Sequence, residues 1–230
     1  IQAMMVDEEK LPGYVPAVMP EKSTCLEKQA LRVIDLLNGA RRPVLLAGNG
    51  IRLADGIGEF QELIKILKIP VLTTWNGIDL IEETNPLYYG RPGGLGHRYA
   101  NFMQQNSDFF LSIGARLNLL QTGYNFDGFA RAATKVMVDI DNAELHKINV
   151  RPDVAVCADA REFIGLLLKN RDRIVSKDRT EWFAYGDRMK AKYPIVQPAY
   201  REEKEPANTY VLLDHLTEQM TEEDLYVAGS

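Results

Sequence analysis

The stretch Arg42-Pro43-Val44-Leu45-Leu46-Ala47-Gly48-Asn49-Gly50 decides the fold. Five apolar residues without polar alternation read as a strand buried on both faces of a sheet, which is the pattern of parallel strands covered by helices. The Gly-Asn-Gly closure turns the chain sharply at the strand end. Working outward, Leu26, Ala30, Leu31, Val33, Ile34 and Leu37 recur at helical spacing before the strand and stop at Asn38-Gly39. After it, Ile57, Phe60, Leu63, Ile64 and Leu67 form a second amphipathic pattern, and Pro70-Val71-Leu72-Thr73-Thr74 a second buried strand.

The alternation continues along the chain. The Gly-rich loop Gly90-Arg91-Pro92-Gly93-Gly94-Leu95-Gly96 leads into a helical stretch at 99–105. Strands are expected at Phe109-Phe110-Leu111-Ser112-Ile113, Val136-Met137-Val138-Asp139-Ile140 and Val154-Ala155-Val156-Cys157, with helices at 143–147 and 161–169. This order predicts an α/β fold: a doubly wound parallel sheet of about six strands flanked by helices, with a nucleotide-binding-like architecture. Residues 26–170 are assigned to that central domain and 1–25, with three prolines, to an extended linker. Residues 171–206 read as a helix (178–193) and connector. Residues 207–230 read as a helix (209–220) and a strand-like Leu225-Tyr226-Val227-Ala228, the opening of a further domain.

Composition narrows the function. The 230 residues are 46% hydrophobic and carry a net charge of −5, ordinary for a globular chain and unfavourable for nucleic acid or anionic membranes. Residues 201–230 hold eight acids and two bases, so residues 1–200 sit at +1. Cys25 and Cys157 are far apart in sequence and fit neither a disulfide scaffold nor a metal spacing, which suits a reducing, cytoplasmic setting. No apolar run reaches membrane-spanning length and no signal peptide is evident. A start at Ile1 and an end just past a strand-like segment lead to the expectation of a piece of a longer polypeptide.

Open parallel sheets bind ligands beyond the carboxyl ends of their strands. Four such ends carry suitable residues: Gly48, Asn49 and Gly50; Thr73 and Thr74; Gly114, Ala115 and Arg116; and Asp139. Each has a plainer reading, as a tight turn or, for Asp139 and Asp141, a helix cap. The dinucleotide fingerprint fails because position 53 is Leu53, and no acid follows at the required distance. His97, His146 and His215 lie in separate segments, and only His97, in the Gly-rich loop, is a candidate for function. No catalytic residue and no metal ligand set can be named.

In the order given, these motifs together with Trp75-Asn76-Gly77, Asn85-Pro86-Leu87-Tyr88-Tyr89-Gly90 and Val138-Asp139-Ile140-Asp141 resemble the central domain of the acetolactate synthase family of thiamine-diphosphate-dependent enzymes. The resemblance covers residues 26–170 well. It extends more weakly to the end, where the segment from Thr209 resembles the start of the diphosphate-binding domain. It implies a parent enzyme that uses thiamine diphosphate and Mg2+ to decarboxylate a keto acid such as pyruvate and ligate the product. It further implies a homo-oligomer, and catalytic machinery in N- and C-terminal domains absent from this chain, so that the piece alone is inactive. FAD is also implied, in a family whose central fold occurs with and without flavin. Gly48, Asn49 and Gly50 would face its phosphates or ribose, and Thr73, Thr74 and Trp75 its chain and flavin. Gly114, Ala115 and Arg116 would neighbour the pyrophosphate, Asp139 the adenosine, and Asp159 and Ala160 the adenine. Gly90 and Arg91 belong to a loop that departs from the family's Gly-Met-His-Gly, and Asn118 stands where Asp is usual. A non-catalytic nucleotide-binding module and an assembly module are the alternatives.

Overall fold

The structure, a computed structural model, describes residues 26–203, 205–221 and 223–226. Five strands, β1 (Pro43–Ala47), β2 (Val71–Thr73), β3 (Phe109–Ile113), β4 (Thr134–Asp139) and β5 (Val154–Cys157), form one sheet in the order β2-β1-β3-β4-β5. Every pairing is parallel. Parallel neighbours need crossovers, and helices supply them on both faces.

Alternation along each strand assigns the faces. Leu45, Ala47, Leu111, Ile113, Val136 and Val138 join one core with α1 (Leu26–Gly39), α3 (Ile57–Leu67) and α7 (Ala160–Lys169). Val44, Leu46, Phe110 and Met137 join the other with α4 (Arg98–Asn106), α6 (Asn142–His146) and α8 (Thr180–Lys192). A strand covered twice has no polar face, which is why β1 and β3 are apolar or small throughout and wholly buried. Helix α8 is fastened to this second face by Trp182, whose Nε1 donates to the Pro43 carbonyl at 3.0 Å, and by Tyr89, whose hydroxyl reaches Asp187 at 2.7 Å.

The sheet has five strands rather than about six. Where a sixth would lie, beyond β2, residues 87–90 make a single parallel bridge, Val71 to Tyr88, with the Tyr89 amide donating to Val71 and the Thr73 amide to Gly90. Pro86 and the left-handed turn at Gly90 (φ +83°) confine the pairing to this short run. At the other end, Leu225 and Tyr226 are not in a strand, and Val227 and Ala228 lie outside the described residues, as does Cys25. Helix α9 (Thr209–Gln219) has no buried residue and leans on the 3-10 turn Pro198–Arg201, through stacked Tyr200 and Tyr210 and an Arg201–Asp214 ion pair. No helix among the described residues is long and apolar enough to cross a membrane.

Candidate functional site

Strand order places the functional edge. β1 connects outward to β2 and then the chain crosses back to β3, so the carboxyl ends of β1 and β3 are the topological switch point. Three glycines meet there. A Cβ on Gly48 would stand 2.1 Å from the Gly114 carbonyl oxygen, and one on Gly50 would stand 2.7 Å from Gly114 Cα. Gly114 itself has φ +60°. The amides of Gly48 and Gly50 donate across the gap to Ile113 and Gly114 carbonyls at 2.9 and 3.0 Å. Gly48 therefore serves the close approach of two loops, and its amide is already committed.

What this interlock opens is a cleft of about 700 Å³ running over all five strand ends. Asn49, Gly50, Thr74, Trp75, Gly114, Ala115, Arg116, Asp139, Asp159 and Ala160 line it. Gly48, Thr73, Gly90 and Arg91 do not. Thr73 is fully buried, with its hydroxyl 3.5 Å from that of Tyr88. Gly90 and Arg91 sit beyond the β2 edge, and their loop supports the cleft indirectly: Gly94 donates to the Leu120 carbonyl and Gln121 to that of Pro92. Asn118 caps the short helix α5 (Leu119–Thr122) by accepting from the Gln121 amide.

Among the cleft residues, the amides of Asn49 and Ala115 have no hydrogen-bond acceptor within the described residues. Arg116 and Leu117 are both left-handed, at φ +57° and +42°, a conformation that persists only where surroundings enforce it. The enforcement comes from α6. Glu144 accepts from Arg116 Nε at 2.8 Å and also from Lys147, whose ammonium binds the Arg116 carbonyl. Those cations, Lys147 first, hold the Glu144 carboxyl below its usual range. Burial pushes the Asp139 carboxyl up, although the Asp141 amide donates to it at 3.0 Å. Asp141 and Asp159 are N-caps of α6 and α7, accepting from the Ala143 and Glu162 amides. Trp75, Leu53 and Leu120 line the same cleft while more than half exposed. Arg52, on the short helix α2 (Gly50–Leu53) and unremarked in the sequence, braces the floor by donating to Asn49 Oδ1 and the Asn76 carbonyl and pairing with Asp79. Its spacing three residues after Asn49 was the available signal.

His97 is not in the cleft. Its Nδ1 meets the Tyr99 hydroxyl at 2.9 Å and its Nε2 lies 3.2 Å from Arg91. Burial, then the Arg91 charge, pushes its pKa down to about 4. The imidazole is thus neutral at pH 7. Because the unfolded chain binds this proton first, the contribution to stability is whole above pH ~6.5 and is lost as pH falls towards 4. An NMR titration should give a His97 midpoint near 4; a midpoint above 6 would contradict the packing described.

A parallel sheet in this order, with helices on both faces and a glycine-lined cleft at its switch point, defines a doubly wound domain with a nucleotide-binding-like architecture. The comparison with protein families is specific. The model described as "Thiamine pyrophosphate enzyme, central domain" matches residues 31–167, and the chain belongs to that family. The chain is 37% identical over 172 residues to a probable acetolactate synthase large subunit of Methanococcus aeolicus, covering 75% of this chain and 28% of that protein. It is 33% identical over 210 residues to acetolactate synthase 1, chloroplastic, of Zea mays, covering 90% and 32%. Identity is also 33% over 186 residues to the acetolactate synthase large subunit of Corynebacterium glutamicum, covering 80% and 29%. The chain thus spans about a third of the length of the curated relatives it matches.

Proposed function

We propose that this chain is the central part of a thiamine-diphosphate-dependent decarboxylase and carboligase acting on 2-keto acids, that it is inactive alone, and that its cleft binds an adenine nucleotide or FAD. The observation that carries the nucleotide reading is the pair of unclaimed amides, Asn49 and Ala115, on either side of the glycine interlock. Bare amides beside a tight glycine turn suit a pyrophosphate. The Asp139 carboxyl at the β4 end suits a ribose or adenine donor, and the exposed faces of Trp75 and Leu120 suit a flat ring. The residues present therefore fit FAD as well as ADP. When bound in the parent enzyme, thiamine diphosphate supplies carbanion stabilisation. The described residues do not fit its Mg2+, since no three His, Cys, Asp or Glu side chains among them come together. On this reading the metal and diphosphate belong to flanking domains, α9 begins the one that follows, and the whole works as a cytoplasmic homo-oligomer.

Two measurements test it. The chain should show a thermal shift with FAD or ADP. Arg116→Ala, which cuts the link from Glu144 to the left-handed turn, should weaken that binding about tenfold. No shift with either nucleotide sinks the cleft assignment. Separately, the chain joined to its flanking domains should release CO2 from a 2-keto acid only when thiamine diphosphate and Mg2+ are added. Absence of that turnover sinks the enzyme assignment.

A further inference from the structure

A second cleft, of about 1030 Å³, lies at the opposite edge of the sheet, where Arg42 leads into β1 and Asn106 precedes β3. Five cationic residues line it: Arg41, Arg42, Lys177, Arg179 and Arg188. Two acids among the described residues do, Asp178 and Glu181. Asp178 is occupied with the Thr180 amide and hydroxyl at 2.9 and 2.6 Å, and nearby Asp108 accepts from the Arg41 and Arg42 amides at 2.9 and 2.8 Å. None of the five cations makes an ion pair among the described residues.

Arg179 is the decisive member. It is 7% exposed, and its Nε has no hydrogen-bond partner among the described residues. A buried guanidinium with an unsatisfied donor is costly unless an anion meets it. Burial accordingly pushes its pKa down, with only Asp108 opposing. Its neighbours leave room for a ligand: Arg42 uses Nε on the Asn106 carbonyl at 2.8 Å, which leaves its terminal nitrogens available, and Arg188 rests over the Tyr185 ring. Tyr185 in turn stacks on Trp182 at 5.3 Å, so one wall is a rigid aromatic pair.

We propose that this amino-edge cleft, lined by the unpartnered buried Arg179 with Arg41, Arg42, Lys177 and Arg188, binds a multiply charged phosphate-class oxyanion borne by a small molecule. Planar guanidinium forks match phosphate oxygens, and several of them select more than one negative charge. An anion there satisfies Arg179 in the folded state alone and so stabilises the fold by mass action. The site is separate from the carboxyl-edge cleft and does not depend on what that cleft holds.

Inorganic pyrophosphate, titrated calorimetrically into the 230-residue chain at fixed ionic strength, is the probe. Saturable binding with a raised melting temperature is expected. Arg179→Gln should weaken it about tenfold or more, and the exposed pair Arg41→Gln with Arg188→Gln, which leave the core untouched, about tenfold together. Arg116→Ala, which weakens any pyrophosphate held at the carboxyl edge, should leave this amino-edge binding in place. Binding lost in Arg116→Ala but kept in the amino-edge variants overturns the proposal, as does no binding at all. So does affinity that rises in Asp7→Asn/Glu8→Gln/Glu9→Gln, for the cleft's anion would then be the chain's own acidic run.

Discussion

Gly48→Ala should destabilise the domain by at least about 3 kcal/mol, seen as a lowered urea midpoint by circular dichroism. The added methyl would lie 2.1 Å from the Gly114 carbonyl oxygen and 2.3 Å from Ala115 Cα. Both are backbone atoms, so no side chain can rotate away. Separating the loops would break the Gly48 and Gly50 amide bonds to Ile113 and Gly114. Gly114 cannot yield either, because its own left-handed turn is what brings it under Gly50. Gly165→Ala is the control. It lies within α7, where the added carbon would meet no atom within 4 Å beyond its chain neighbours and the helix's own backbone, and should raise stability by about 0.5–1 kcal/mol. If the two variants behave alike, the loops do not approach as described.

The second large effect is at the other edge. Trp182→Ala should cost about 3–5 kcal/mol, the range for emptying a buried aromatic site. Trp182 is 4% exposed, stacks on Tyr185 and supplies the hydrogen bond that α8 makes to the start of β1. Trp182→Phe separates the two contributions. It keeps much of the ring in the core but leaves the Pro43 carbonyl without its donor, for a loss of about 1–2 kcal/mol. Hydrogen exchange should show the α8 amides losing protection in Trp182→Ala before those of β1 and β3. Equal losses in the two variants would mean that the hydrogen bond, not the packing, fastens the helix.

The central fold was legible because burial on both faces removes polar residues from the strands. Pro43-Val44-Leu45-Leu46-Ala47 and Phe109-Phe110-Leu111-Ser112-Ile113 carry that signature, and the helices between them carry the 3.6-residue one. The sheet has five strands against an expected count of about six, and residues 87–90 beside β2 make only an isolated bridge, between Pro86 and Gly90. At the carboxyl-edge cleft, sequence pointed to the loops that line it but not to which of their residues face it. Gly48 resembles a ligand-facing glycine yet is filled by Gly114, and Thr73 points into Tyr88. Whether a strand-end residue faces the cleft or the core depends on pleat and loop curvature, which the residue types do not encode. The amino-edge cleft had no sequence signal. Arg42, Asn106 and Arg179 are brought together only by the crossovers.

Parallel order has a further consequence, for synthesis. β1 is made first among the strands but holds a central place, so Leu45 finds one partner in Val71 and must wait for Leu111 before its other side is covered. Each pairing joins residues remote in sequence and bears a loop-closure entropy that local helices do not. A nascent chain that has emerged only as far as β2 therefore presents one bare hydrogen-bonding edge of a strand that the folded sheet buries wholly. The cell must shield that edge until residues 109–113 arrive, and conditions that slow elongation in that interval should favour misassembly over loss of native stability.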